Sequence, residues 1–95
     1  MNAGPVPGSA RPRLAHKARL KLDPIENQHV LLGPERGLVL GASASAIATR
    51  CDGEHTIDAI AGELAQQTRA DLATVTRDVT SFVAEMVKRG FLELA

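Results

Sequence analysis

Two short apolar runs, Val30-Leu31-Leu32 and Leu38-Val39-Leu40, flank Gly33-Pro34-Glu35-Arg36-Gly37, and each has the length of a strand. Pro34 presets φ for the first central position of a type I turn, and Gly37 can take the left-handed conformation that returns the chain. The stretch therefore predicts a β-hairpin with a loop of about three to five residues. Along it, Val30 and Leu32 point one way and Leu31 the other, while Leu38 and Leu40 oppose Val39. A hairpin with one wet face is expected to carry polar residues at 31 and 39; this one carries Leu31 and Val39. Something must cover its second face, its edge or both, and the N-terminal tail or a subunit contact could do so.

Upstream, Ala18, Leu20 and Leu22 alternate with Arg19 and Lys21, the pattern of a half-buried strand, which Asp23-Pro24 ends. Three strands in a meander is the simplest topology, and it leaves residues 37–40 at an edge. Residues 1–12 hold three prolines and two glycines and little to bury, so a disordered tail is expected there, followed by one domain over 13–95.

Downstream the period changes from two to 3.6. Ser43 is the expected N-cap of a helix whose stripe is Ala44, Ile47, Ala48 and Cys51, closed by Asp52-Gly53. Thr56 caps a second helix with the stripe Ile57, Ile60, Ala61 and Leu64, and Asp58 complements its dipole. Gly62 inside this helix costs about 1 kcal/mol relative to alanine, and close packing is the expected reason to keep it. Asp71 caps a third helix, which ends at Lys88-Arg89-Gly90. Its apolar face, Leu72, Val75, Val79, Phe82, Val83, Met86 and Val87, spans about 140°, wider than packing on one side requires. The edge near Val75 and Phe82 is left to meet something else, and Phe91–Leu94 is expected to fold back onto the core.

Composition narrows the class. No apolar run reaches about 18 residues and no apolar stretch opens the chain, so neither a membrane span nor a secretory signal is expected. A single cysteine fits a reducing compartment, and cytoplasm is the default. The zero net charge conceals an asymmetry: Arg11, Arg13, Lys17, Arg19 and Lys21 give residues 11–21 a charge of +5, against −5 for the remainder. Such a strip grips an acidic ligand, lies against the body, or is a solvated strand.

No catalytic set emerges. His16, His29, His55 and Cys51 lack metal-site spacing, and no glycine-rich phosphate cradle occurs. Strands followed by three short helices suggest a winged helix, so a DNA-binding module is the alternative reading. Against it, the third helix balances Arg77, Lys88 and Arg89 with Asp71, Asp78 and Glu85, and the chain has no Tyr or Trp to stack on bases. A structural dimerisation module is a third reading.

One set of residues resembles a known family. Pro12-Arg13-Leu14, Leu31-Leu32-x-Pro34-Glu35-Arg36-Gly37-Leu38-x-Leu40, Ile47, Cys51-Asp52-Gly53, Thr56-x-x-x-Ile60, Asp78-Val79 and Gly90-Phe91 are similar to the pyrroloquinoline quinone biosynthesis protein D family, in order, from about residue 12 to 94. Gly41 and Phe91 depart from it, standing where the family carries asparagine and tryptophan. The resemblance implies an α+β, winged-helix-like fold with a three-stranded antiparallel sheet followed by three helices. It further implies a non-catalytic, cofactor-free and metal-free protein that captures a ribosomally made precursor peptide. That peptide is presented to a radical S-adenosylmethionine enzyme, which cross-links a glutamate and a tyrosine in it. The peptide adds beside the third strand of the sheet and packs on the third helix, so Arg36, Leu38, Val39, Leu40, Val75, Asp78, Val79 and Phe82 are the expected binding residues. Neither nucleic acid nor membrane is an expected partner. A monomer is expected, able to exchange strands into a homodimer at high concentration.

Overall fold

The computed structural model describes residues 6–95. Its elements are β1 (Pro12–Leu14), β2 (Arg19–Asp23), β3 (Gln28–Gly33), β4 (Arg36–Leu40), α1 (Ala42–Ala48), α2 (Ile57–Thr68), α3 (Leu72–Lys88) and β5 (Leu92–Leu94). β2, β3 and β4 form the expected antiparallel meander, and β1 pairs with β5 in a separate two-stranded sheet. The architecture is α+β, as expected, with the small second sheet added.

Hairpin register differs from expectation by one residue. Gly33 pairs with Arg36 and Leu31 with Leu38, so the loop is Pro34-Glu35 alone. Proline cannot take positive φ, which excludes the turns most common in two-residue hairpins. Glu35 supplies the left-handed residue instead, at φ +62°, the signature of a type II turn with proline first. Gly37 is not in the left-handed region; it is small because a Cβ there would lie 3.1 Å from a Leu32 methyl.

A one-residue shift exchanges the faces. Leu31 is fully buried, Leu40 nearly so, and Leu20 and Leu38 pack beside them on the core side. Val30, Leu32 and Val39 point to the opposite face, with Arg19 and Lys21 beside them. The apolar residues that remain on the outer face are therefore 30, 32 and 39, and Leu31 is not among them.

Against the inner face pack Ile47 and Ala48 of α1, Ile57, Ile60, Ala61 and Leu64 of α2, and Val79, Val83 and Met86 of α3. Both expected caps of the longer helices form. Thr56 Oγ1 accepts from Ala59 N at 3.0 Å, and Asp71 Oδ2 accepts from Thr74 N at 3.0 Å. α3 stops as its sequence requires: Gly90 takes φ +83°, with Gly90 N donating to Val87 O and Phe91 N to Met86 O. α1 is corrected at its start. Its N-cap is Gly41, with no side-chain cap, and Ser43 lies inside the first turn. Gly62 is corrected too: a Cβ there would meet nothing within 4 Å, so no close packing explains it.

The tail expected through residue 12 is corrected from residue 6 onward; residues 1–5 lie outside the described residues. Ala10 O accepts from Ile57 N and Gly8 O from Asp58 N, each at 3.0 Å. These are first-turn N–H groups of α2 that have no partner within their own helix. Pro12 is fully buried, and Arg13 of β1 donates to Glu93 of β5 at 2.8 Å.

Cys51 behaves as a core hydrophobe: it is buried, its Sγ donates to Ile47 O, and burial, then the adjacent Asp52 charge, pushes its thiol up to about 12. Asp52 accepts from the His55 ring, and from the backbone N–H groups of Glu54 and His55. The ring contact, then those N–H groups, hold its carboxyl at about 2, and the Asp52 contact in turn raises the His55 pKa.

Two outcomes follow. Gly62→Ala removes backbone freedom without a clash and is expected to stabilise the fold by about 1 kcal/mol, read from the denaturant midpoint. The pH dependence has two sides. Asp52, depressed from 3.8, contributes stability above that value and loses it as pH falls toward 2. His55, raised above 6.5, contributes below that value and loses it as pH rises through its folded-state pKa. The wild-type advantage over His55→Gln should therefore be greatest between these limits and shrink as pH rises through the raised folded-state pKa of His55. Denaturant midpoints of both proteins across that range measure it, and a constant difference would refute the pairing.

Candidate peptide-binding edge

The sheet has two free edges, and they differ in chemistry. A two-residue hairpin hydrogen-bonds the pair that flanks its turn, and the bonding alternates from there. Arg36, Leu38 and Leu40 thus direct their backbone groups to β3, and Gly37 and Val39 direct theirs away from it. Among the described residues no backbone bond outside the sheet uses those of Gly37 or Val39. At the opposite edge β2 carries Arg19 and Lys21, with Lys17 just ahead. Charged side chains on an edge strand discourage pairing with a further strand. From Gly37 to Leu40 there is no charge at all. β4 is the edge left open.

α3 is fastened to the start of this strand directly and to its end by way of α1. Arg36 Nη2 donates to Arg89 O at 2.5 Å, and its guanidinium lies 5.4 Å from the centre of the Phe91 ring. At the other end, α1 begins two residues after β4 and packs on α3. Beyond the end of β4 opens an apolar groove of about 250 Å³, lined by Ser43 and Ile47 of α1, Leu64 of α2, and Val75, Asp78 and Val79 of α3. That is below the size of a typical cofactor site and suits one large side chain.

The structure separates the expected binding residues by role. Val75, Asp78 and Val79 share the groove, with Val75 half-buried, Asp78 exposed and Val79 fully buried as its floor. Phe82 is half-buried further along α3, and Leu38 is half-buried on the core face. Leu40 is a core residue, so its side chain is not available to a ligand. Val39 is 59% exposed but points to the outer face, away from α3. Arg36 is occupied by Arg89 and Phe91 and acts as a fastening. Ile47 and Leu64 were legible only as core stripes, and no feature of the pattern marks them as groove walls.

The basic strip lies elsewhere. β2 is two strands from β4, about 10 Å away. Arg13 pairs with Glu93, and Arg11 Nε donates to Glu54 O at 3.3 Å. Lys17, Arg19 and Lys21 make no hydrogen bond or ion pair through their side chains among the described residues. Among those residues there is also no cluster of three potential metal ligands, and no helix long and apolar enough to cross a membrane.

Comparison with known proteins decides the lineage. The family model for coenzyme PQQ synthesis protein D matches residues 28–92. The chain belongs to the coenzyme PQQ synthesis protein D family. Within that non-catalytic family it is 38% identical to the PqqA binding protein of Rhizobium meliloti over 89 residues, covering 94% of this chain and 91% of that one. It is also 38% identical over 86 residues to the bifunctional coenzyme PQQ synthesis protein C/D of Methylorubrum extorquens, covering 90% of this chain and 23% of that longer protein. The solution structure of the PqqD truncation of Methylobacterium extorquens PqqCD, described as a functional, stand-alone recognition element for ribosomally synthesised and modified peptides, superposes with a TM-score of 0.78 at 38% identity, over 92% of this chain and 93% of that one. The crystal structure of PqqD from Xanthomonas campestris superposes with a TM-score of 0.56 at 33% identity, over 80% and 84%.

Arg36→Gln should cost about 1–2 kcal/mol, through the lost bond to the Arg89 carbonyl and the lost contact with the Phe91 ring. Thermal or denaturant unfolding measures it, and an unchanged midpoint would show that the fastening contributes nothing.

Proposed function

We propose that this chain binds a ribosomally made precursor peptide as a strand added to β4 and presents it to a radical S-adenosylmethionine enzyme that cross-links a glutamate and a tyrosine in that peptide. The observation that carries this reading is the uncharged free edge of β4 beside the incompletely covered face of α3. Backbone pairing along such an edge supplies affinity, and pockets for alternate side chains supply selectivity. The groove at Val75 and Asp78 is placed to take one of those side chains. Relatives named for binding PqqA, and a solved neighbour described as a recognition element, support the same reading. On it the protein works in the cytoplasm without a cofactor, as a monomer at working concentration. A strand-exchanged dimer at high concentration would compete with the peptide for the same backbone groups.

Val39→Pro tests the edge. It removes the outward N–H of Val39 and leaves the bonds of Leu38 and Leu40 to β3 in place. Titration of the precursor peptide into the variant, followed by backbone amide signals, should show binding weakened by more than about tenfold, while the β3 amides report an intact sheet. Wild-type affinity in a folded variant would show that the peptide does not pair with this edge.

A further inference from the structure

We propose that the groove between α1, α2 and α3 selects a lysine or arginine of the bound peptide, with Asp78 as the residue that sets this preference. The inference rests on the proposed function and adds the chemistry of the side chain that the groove takes.

The groove is apolar at its floor and polar at its rim. Ile47, Leu64 and Val79 are buried, and Val75 is half-buried beside them. Asp78, Ser43 and Thr68 line the same groove and are exposed. This rim is rich in acceptors. A carboxylate accepts hydrogen bonds and donates none. Thr68 Oγ1 donates to Leu64 O at 2.8 Å, so its proton is spent and its oxygen is left to accept. The end of α2 adds to them. Arg69 N and Ala70 N both donate to Ala65 O, so the carbonyls of residues 66–68 receive no backbone bond among the described residues. They place the negative end of the helix dipole beside the groove.

No cation lines the groove. The Asp78 side chain makes no hydrogen bond or ion pair among the described residues. Its neighbours one helical turn away, Thr74, Val75, Ser81 and Phe82, carry no charge. Arg69 and Arg77 adjoin lining residues in sequence, but neither is part of the lining. A basic side chain answers each of these features. Its aliphatic stem covers the floor, and its charged head, which only donates, stays at the wet rim against Asp78 and Thr68. An acidic side chain would meet like charge, and a purely aliphatic one would leave Asp78 without a counter-charge. Because the groove opens past the end of β4, the selected residue lies just beyond the segment that pairs with the strand.

A double-mutant cycle tests this. Wild type and Asp78→Asn are titrated with the precursor peptide, and with peptides in which each lysine or arginine in turn is replaced by norleucine, an uncharged aliphatic stem. Amide signals of Ser43, Val75 and Val79 report the groove, and those of Gly37 and Val39 report the edge. Asp78→Asn should lower affinity about tenfold and flatten its salt dependence. One norleucine position should lower it by the same factor in wild type and no further in Asp78→Asn. Unchanged affinity in Asp78→Asn would overturn the proposal. So would basic residues that are all replaceable without loss, or losses equal in the two proteins at every position. In each of these cases the Gly37 and Val39 signals still move and the proposed function stands. A wild type that binds no peptide would refute the proposed function and this inference with it.

Discussion

The turn at Pro34-Glu35 fixes which side of every strand in the sheet faces the core. Proline bars positive φ at its own position, so the left-handed residue must come next, and Glu35 takes it. A non-glycine residue there is mildly strained, and the hairpin holds it because the alternative is worse. Lengthening the loop by one residue would turn Leu31 into solvent and bring Val30 and Leu32 inward. Leu31 is fully buried against the helices, so the burial of about a whole leucine, roughly 2–3 kcal/mol, opposes that slip at this position alone. The same register decides which backbone groups of β4 are spent on β3 and which are free.

From that constraint follows an asymmetry between the two edges. Cations guard β2, and β4 has only aliphatic residues and glycine past Arg36. Arg36 itself is turned to another task, joining the turn to the end of α3 through the Arg89 carbonyl and the Phe91 ring. The domain thus holds its open edge at a defined place beside a helix whose apolar face is broader than its own core requires. Preorganisation of this kind lowers the entropy lost when an extended chain is captured.

Local signals were legible in the sequence, and non-local ones were not. Thr56, Asp71 and Gly90 act on groups within a few residues of themselves, so their roles could be read directly. The stripes of α2 and α3 were equally plain, because burial on one helical face needs only the 3.6-residue period. Hairpin register was not readable, since loops of two and three residues suit the same runs and differ only by which face meets the helices. The strap at residues 8–12 left no pattern, because it works through carbonyls given to α2 and any side chain can supply those. Of the site, the β4 edge and the over-wide face near Val75 and Phe82 could be inferred from periodicity. Asp78 came only from family resemblance, and the part played by Ile47 and Leu64 as groove walls depends on how three helices diverge.

The pairing of β1 with β5 has a kinetic consequence. It joins residues about 80 positions apart, as the Arg13–Glu93 contact shows, whereas the hairpin and the α2–α3 pair close short loops. Loop closure across most of the chain is the entropically slowest event to complete and the first to come undone. The expected order is hairpin and helices first, clasp last. When the clasp opens transiently, the pairing of β3 with β4 is untouched, so the open edge outlasts the loosest motion of the domain.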